Sequence, residues 1–315
     1  MLKATRDDLT VFTATWRVEK HSDGMLLKDF LTKEHNISKR LLTDIKFRGG
    51  QMLVNGQSET VRKQLTNGDE VTIQFPKENR STSMKPYPMK LEIVYEDEHV
   101  LAVNKPAHLQ TIPSRMEPNR SLAQAVLAYY DVNNIPSTIH IVTRLDRDTS
   151  GLVLIAKHRF AHSLLAKAQR EQKIERSYIA IVDGFIPHEK GTITFPIARK
   201  ESSIIERVVD ENGQKAITHF ETLHQHETHS LVKIQLETGR THQIRVHFSA
   251  IGHPVAGDDL YGSMKSEISR QALHCALLRF QHPFLKEMIT LKSKLPLDMR
   301  SLIERTELIG EKGLF

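Results

Sequence analysis

A dense cluster of charges beside an apolar strand constrains this chain more than any other feature of its sequence. Two arginines and two aspartates stand within the short stretch 144–148, namely Arg144, Asp146, Arg147 and Asp148. The apolar run Gly151–Ala156 follows and predicts a buried strand. Charges next to a core strand are costly to bury unless they pair, and loops at strand ends often hold functional sites. The cluster therefore predicts either a site or a solvated, capped turn.

A second polar segment, Gly239–His247, follows a predicted strand at Leu231–Leu236. Thr241 is a candidate N-cap for a helix that Gly252 ends. The apolar residues at helical spacing would face the core, namely Ile244, Phe248 and Ile251. Arg245 lies beside that face, so it can reach a buried carboxylate, although an ordinary surface arginine fits the same pattern.

The N-terminal part of the chain predicts a small α+β unit. Ser38 is a good N-cap for a short helix that Gly49 and Gly50 end, and Asn55-Gly56 between short β-prone runs predicts a hairpin. The helix carries a cluster of basic residues, namely Lys39, Arg40, Lys46 and Arg48. These side chains are predicted to bind phosphate groups, and the unit is predicted to span residues 13–75.

The rest of the chain predicts one larger domain. Residues 76–90 are polar and contain prolines, which is typical of a linker. From residue 91 to about 305, apolar strand-like runs are mixed with helical segments such as Leu122–Tyr130 and Arg159–Arg170. The mixture lacks regular βαβ alternation and predicts an α+β fold.

Composition narrows the class of protein. The formal charge is +6 and the pI about 9.2, which suits a polyanionic partner such as nucleic acid. The single cysteine, Cys275, fits a reducing cytoplasm. No apolar stretch approaches the roughly 18 residues that cross a bilayer, and Met1–Lys20 does not have the pattern of a secretory signal. We therefore expect a cytoplasmic protein without a membrane segment, and a monomer by default.

Cofactor motifs are not found in the sequence. There is no glycine-rich phosphate loop and no Gly-x-Ser-x-Gly elbow, which argues against a nucleotide cofactor. His242, His247 and His253 do not share one helical face and have no cysteine cluster nearby, which argues against a metal site. Packing and phosphate contact are the expected roles of these histidines.

The motifs together resemble the RluA family of pseudouridine synthases. Arg144-Leu145-Asp146 followed by Thr149-Ser150-Gly151 is the most specific match. Other segments match along the chain, namely Val103-Asn104-Lys105-Pro106, Arg176-Ser177-Tyr178, Gly239–Arg245, Val255–Asp258, Leu260-Tyr261-Gly262 and Leu273-His274. Residues 25–75 resemble the RNA-binding domain of ribosomal protein S4. The chain departs from the family at Thr143, where the family usually has histidine, and around Ile112.

The resemblance implies a fold and a reaction. It implies a mostly antiparallel central sheet flanked by helices, and a uridine isomerisation in RNA that uses Asp146 and no cofactor. Tyr178 would stack on the uracil, Arg245 would pair with Asp146, and Arg144 would fill the space left by a flipped-out uridine or grip a phosphate. Arg240 and His242 would contact RNA. Large-subunit ribosomal RNA is the first expected target and transfer RNA the second.

Two other functions stay open on the sequence alone. A non-catalytic RNA-binding or ribosome-assembly factor could keep the same fold with an inert site. A hydrolytic glycosidase could use Asp146 and Asp148 as paired carboxylates, which requires them to lie on one face.

Overall fold

The computed structural model describes residues 12–115, 117–263 and 268–308, so residues 1–11 of the N-terminal segment discussed above lie outside it. The strands are β1 (Thr13–Arg17), β2 (Gln51–Val54), β3 (Gln57–Ser58), β4 (Glu70–Gln74), β5 (Glu92–Glu96), β6 (Val100–Lys105), β7 (His140–Ile141), β8 (Ser150–Ala156), β9 (Ile174–Asp183), β10 (Lys190–Ile193), β11 (Ile197–Arg199), β12 (Arg207–Val209), β13 (Thr218–Gln225), β14 (His229–Leu236), β15 (Leu273–Gln281) and β16 (Met288–Lys292). The helices are α1 (Leu27–Asp29), α2 (Lys39–Phe47), α3 (Leu122–Val132), α4 (Arg159–Arg170), α5 (Gln243–Ala250) and α6 (Leu297–Arg305). None of the helices in these ranges is long and apolar enough to cross a membrane.

The N-terminal part forms a four-stranded antiparallel sheet in the order β1-β4-β2-β3, with α2 packed on it. Ser38 caps α2 as predicted, because its Oγ accepts a hydrogen bond from the Leu41 amide at 3.2 Å. The predicted first helix is shorter than its apolar spacing indicates. Only Leu27–Asp29 is α-helical, and the chain continues as a π-helical turn over Phe30–Glu34.

A ten-stranded sheet dominates the remainder of the chain. Its main order is β10-β13-β14-β9-β15-β8-β6-β5, with β7 paired to β8 and β16 paired to β15. All of its strand pairs are antiparallel except β8 with β15, which is parallel. The predicted α+β class with a mixed, mostly antiparallel sheet is confirmed.

The segment that joins the two sheets, residues 76–91, has no helix or strand but is held against the larger sheet's helices and loops. Arg80 donates hydrogen bonds to the carbonyls of Ser137 at 2.8 Å and Ile135 at 3.0 Å. Glu78 pairs with His140 and accepts the Arg159 amide at 2.7 Å. The segment is therefore anchored along its first part, and the domain boundaries at 75/76 and 90/91 stay a prediction.

The two sheets meet at the C-terminal end of β8. There Arg159, at the start of α4, donates a 2.8 Å hydrogen bond to Asp44 of α2. Phe160 packs into the N-terminal core, with its ring stacked 5.0 Å from that of Phe75. The charged cluster that contains Asp146 precedes the other end of β8. At about 3.3 Å per residue, the length of β8 separates the two places by on the order of 20 Å.

Candidate active site

The loop that carries Asp146 enters β8 through a turn, in which the Thr149 amide donates to the Asp146 carbonyl at 3.2 Å. Gly151 then has φ +116°, and a Cβ at this position would lie 2.3 Å from the Cys275 carbonyl oxygen. Only glycine permits this close parallel approach of β8 to β15. Ser150 reaches across the same junction, with its Oγ 2.9 Å from His274 Nδ1. The Thr149-Ser150-Gly151 sequence thus fixes the point at which the loop ends and β8 begins.

The loop that carries Asp146 is fixed by hydrogen bonds from a buried side chain. Lys105 is fully buried and donates to three carbonyls, those of Leu109 at 2.7 Å, Pro106 at 2.9 Å and Arg147 at 3.0 Å. Burial lowers the pKa of Lys105 to about 7, although the charges of Asp146 and Asp148 oppose that shift.

Two further contacts fix the same loop. Thr111 Oγ1 donates to the Leu145 carbonyl at 2.7 Å and accepts the Leu145 amide at 3.1 Å. Arg270 donates to the Asp148 carbonyl at 3.1 Å. The backbone on both sides of Asp146 is therefore tied to buried groups, which pre-organises the loop.

Arg245 joins Asp146 to a second carboxylate. Its Nη1 lies 3.4 Å from Asp146 Oδ2, while Nε and Nη2 donate to Asp258 at 2.6 and 2.8 Å. The Asp258 side chain is 0% exposed and that of Asp146 is 27% exposed. Burial alone would lower the pKa of Arg245, but the hydrogen bonds and charge of Asp258, together with Asp146, raise it above its ordinary value. The guanidinium therefore stays charged beside the half-buried Asp146 carboxylate.

His242 lies on the same side of Asp146. Its Nε2 is 3.9 Å from Asp146 Oδ2 and its Nδ1 is 2.8 Å from the Tyr261 hydroxyl. The residue has φ 57°, a left-handed conformation, directly before α5. Thr241 therefore does not cap α5, and the predicted cap is wrong. The chain turns left-handed at His242, and the Gln243 side chain instead accepts the Arg240 amide at 3.0 Å. The helix ends as predicted, with Gly252 at φ +84° beyond it.

Tyr178 lies on β9, where its side chain is buried. Its hydroxyl accepts a hydrogen bond from Arg176 Nη1 at 3.3 Å. Burial raises the pKa of Tyr178, and the charge of Asp146 contributes in the same direction. The phenol therefore stays protonated near the carboxylate.

The other predicted site residues lie farther out. Arg144 is exposed and has no hydrogen bond or ion pair within residues 12–115, 117–263 and 268–308. Arg240 is exposed and donates from Nε to the Lys215 carbonyl at 3.0 Å. On α2, Lys39, Arg40 and Lys46 are exposed. Arg48 is exposed too, but its Nε pairs with Asp44 at 3.2 Å.

The second carboxylate of the cluster points to other partners. Asp148 pairs with Arg147 at 3.0 Å and with His108 at 2.9 Å, whereas Asp146 faces Arg245. The two aspartates stand on a turn with separate partners, which does not favour a paired-carboxylate glycosidase. Thr143, at the position where the family usually has histidine, is fully buried and its Oγ1 accepts the Leu154 amide at 2.9 Å.

Within the part of the chain that the structure describes, no group of three or more His, Cys, Asp or Glu side chains could hold a metal ion. The three histidines of the second segment have separate partners. His247 contacts Thr218 Oγ1 at 2.9 Å and the Phe195 carbonyl at 2.8 Å. His253 contacts the Asp183 carbonyl at 2.9 Å, and His242 faces Tyr261.

Sequence reasoning missed three residues of this site. Asp258 and Tyr261 belong to segments that match the family. The sequence around them does not reveal that Asp258 contacts Arg245 or that Tyr261 contacts His242. Lys105 stands in the matching Asn-Lys-Pro segment. The available signal was its position at the end of a strongly apolar strand. A lysine there is expected to be buried, and a buried lysine needs hydrogen-bond partners nearby.

Comparison with known proteins identifies the family of this chain. The family model for RNA pseudouridylate synthases matches residues 99–250. A Bacillus subtilis protein named uncharacterized RNA pseudouridine synthase YjbO is 48% identical over 280 residues, which cover 89% of this chain and 99% of that protein. Ribosomal large subunit pseudouridine synthase D of Escherichia coli is 34% identical over 317 residues, 96% of this chain and 95% of that protein.

A solved structure shares the fold. The human protein RNA Pseudouridylate Synthase Domain Containing 4 superposes with a TM-score of 0.58 at 20% identity, covering 70% of this chain and 94% of that one. The chain belongs to the RluA-type RNA pseudouridine synthases. Its substrate is therefore RNA, and the family and enzyme class predicted from the motifs are confirmed.

Proposed function

We propose that this enzyme isomerises uridines of large-subunit ribosomal RNA and that Asp146 is its catalytic carboxylate. The observation that carries the assignment is the position of Asp146. Its carboxylate lies 3.4 Å from the buried guanidinium of Arg245, on the pre-organised loop that precedes β8. Relatives named ribosomal large subunit pseudouridine synthase D support the choice of RNA.

The reaction breaks the bond from the ribose C1′ to N1 of uracil, turns the base, and joins C1′ to C5. A proton leaves C5 and N1 gains one, so no atom is added or lost. The Asp146 carboxylate can stabilise positive charge at C1′, take a proton from the ribose, or attack C1′. In each role the carboxylate acts beside the positively charged Arg245 guanidinium, whose Nη1 lies 3.4 Å from Asp146 Oδ2.

The neighbouring side chains have supporting roles. Tyr178 is the residue that the resemblance to the family assigns to stacking on the uracil; its ring is buried on β9 and its hydroxyl is held by Arg176. Arg144 is exposed beside Asp146 and free to fill the space of a flipped-out uridine or to grip a phosphate. Arg240, exposed before α5, contacts RNA at the rim.

Residues 13–75 form an RNA-binding unit like that of ribosomal protein S4, residues 76–90 connect it, and residues 91–305 form the catalytic domain. Lys39, Arg40 and Lys46 present exposed positive charges on one helix, and phosphate contacts of this kind position a protein on RNA without reading its sequence. Arg48 is exposed as well, although its guanidinium shares the Asp44 carboxylate with Arg159. We place the enzyme in the cytoplasm as a monomer.

The test of catalysis uses Asp146→Asn with Asp148→Asn as the matched control. Asp146→Asn is expected to make no pseudouridine in unmodified RNA while its RNA affinity stays within about twofold. Asp148→Asn keeps activity, since its carboxylate faces Arg147 and His108. Product formation by Asp146→Asn removes Asp146 from this role, and no product with the wild-type protein on any RNA indicates a non-catalytic factor.

The test of the target is pseudouridine mapping across cellular RNA with and without the protein. We expect sites in large-subunit ribosomal RNA to lose modification. Loss confined to transfer RNA would replace this target with the second candidate.

A further inference from the structure

The Asp146 carboxylate is unevenly supported. Oδ2 faces Arg245 Nη1 at 3.4 Å and His242 Nε2 at 3.9 Å, whereas Oδ1 accepts no hydrogen bond from the described residues. Within the described residues, Oδ2 therefore has two cationic or polar neighbours, Oδ1 has no hydrogen-bond donor, and the side chain as a whole is 27% exposed. The role of the imidazole depends on which of its nitrogens carries the proton.

Tyr261 and Asp146 together favour one tautomer. The Tyr261 hydroxyl oxygen accepts the Arg207 amide at 2.9 Å and lies 2.8 Å from His242 Nδ1, to which it can donate its own proton. The Asp146 carboxylate can only accept, so it favours a proton on Nε2. A neutral imidazole that accepts at Nδ1 carries its proton on Nε2, which is the nitrogen that faces Asp146.

The imidazole is neutral because burial lowers the pKa of His242, although Asp146 acts in the opposite direction. Its side chain is 11% exposed. Its left-handed backbone, at φ 57°, is a conformation that non-glycine residues adopt sparingly and that is commonly associated with functional constraint.

We infer that His242 is a positioning residue, whose Nε2–H holds Oδ2 of Asp146 and leaves Oδ1 free for the ribose, with Tyr261 setting its tautomer. This inference rests on the proposed role of Asp146. The 3.9 Å separation exceeds a hydrogen bond, and an approach of about 1 Å on RNA binding closes it, as catalytic contacts often tighten only with substrate. The role differs from the RNA contact expected for His242 on sequence alone.

Other charged or titratable groups also face Asp146. Arg245 reaches it from α5, and the charges of Lys105, at the end of β6, and Tyr178, on β9, interact with it. These groups are unchanged in variants of His242, so a loss of kcat that His242→Gln restores reports the lost N–H donor.

The test compares His242→Leu with His242→Gln, which retains an amide N–H donor. For His242→Leu we expect kcat to fall about 100-fold, a loss typical of one catalytic donor. KM should change less than threefold. His242→Gln should recover at least tenfold of the lost kcat, again with little change in KM.

Tyr261→Phe tests the tautomer. It keeps the ring that lies 4.9 Å from the Arg245 guanidinium carbon but removes the hydroxyl. We expect a fall in kcat of about tenfold with unchanged KM, because Nε2 no longer holds the proton all the time.

Several outcomes overturn the inference. A raised KM with unchanged kcat would make His242 an RNA contact. Equal losses of kcat in His242→Leu and His242→Gln would make its role structural. If Asp146→Asn stays active, the proposed function fails first. If Asp146→Asn is inactive while His242→Leu is as fast as wild type, only the positioning role fails.

Discussion

Arg245 and Asp258 form a bidentate, buried ion pair, with the guanidinium donating at 2.6 Å from Nε and 2.8 Å from Nη2. This pair orients the remaining nitrogen, Nη1, toward Asp146. The guanidinium is therefore in place before RNA arrives, and none of the binding energy of the substrate has to order it.

Replacing Asp258 by asparagine should damage both stability and activity. The change leaves the Arg245 charge buried with only part of its compensation, and breaking such a pair costs about 3–5 kcal/mol. We expect that loss in chemical unfolding, together with a fall in kcat of about 100-fold. The control is Glu175→Gln, whose carboxylate pairs with Arg279 at 3.7 Å while the two side chains are 56% and 47% exposed. Equal unfolding free energies for Asp258→Asn and wild type would contradict the prediction.

Substituting Gly151 tests the junction of β8 and β15. Gly151→Ala places a Cβ 2.3 Å from the Cys275 carbonyl at φ +116°, so the strands must separate. We expect a loss above about 4 kcal/mol, the range of exceptional single substitutions. Gly49→Ala is the matched control, since Gly49 has φ +89° but no atom within 4 Å of the added carbon. It should cost about 1–2 kcal/mol. Similar melting temperatures for the two variants would refute the close-approach argument.

His158 should make the protein sensitive to acid. Burial, and then the neighbouring His99, lower the pKa of His158 from 6.5 to about 3. Below pH 6.5 the unfolded chain takes up a proton that the folded chain does not, so stability is complete above that pH and is lost progressively toward pH 3. At pH 5 the loss is about 2 kcal/mol for one such histidine.

Thermal unfolding between pH 7.5 and 5 measures this loss. His158→Asn is the informative variant, because its side-chain oxygen can still accept the Ala161 amide that His158 Nδ1 accepts at 3.2 Å. We expect the variant to lose less stability on acidification than wild type does. An unchanged pH dependence would exclude His158 as the source.

The basic helix α2 should control the salt dependence of RNA binding. Neutralising Lys39 and Lys46 to glutamine removes two exposed cations, which should reduce the slope of log Kd against log salt by roughly 1.5. The control changes Lys28 and Lys33, two exposed lysines of the same unit outside α2, to glutamine. Equal slopes for the two double variants would show that α2 has no special role.

Local chemistry made part of the fold predictable from sequence. Ser38 caps α2 through its side-chain oxygen, as predicted, because a cap depends on only a few neighbouring residues. Ser121 caps α3 in the same way. The helix Arg159–Arg170 has its predicted bounds. Asn55 and Gly56 both have positive φ in the predicted hairpin, since this turn requires that backbone.

The remainder depends on contacts distant in sequence. Thr241 has the right chemistry for an N-cap. His242 instead adopts a left-handed conformation in which its ring reaches Tyr261, so α5 begins after His242 without a side-chain cap. The pairing of Arg245 with Asp258 joins residues from a helix and a loop, and no spacing rule predicts it. The burial of Lys105 becomes visible only when the loop above it supplies three carbonyl acceptors.

The attachment of α2 to the start of α4 sets the distance between the proposed RNA-binding helix and the proposed catalytic carboxylate. Asp44 is tied to Arg159 at one end of β8, while Asp146 precedes the other end, on the order of 20 Å away. An RNA that occupies both places must extend over roughly six stacked nucleotides at about 3.4 Å each. Short oligonucleotides therefore reach only one of the two places at a time, and a folded domain of a large RNA can bridge both.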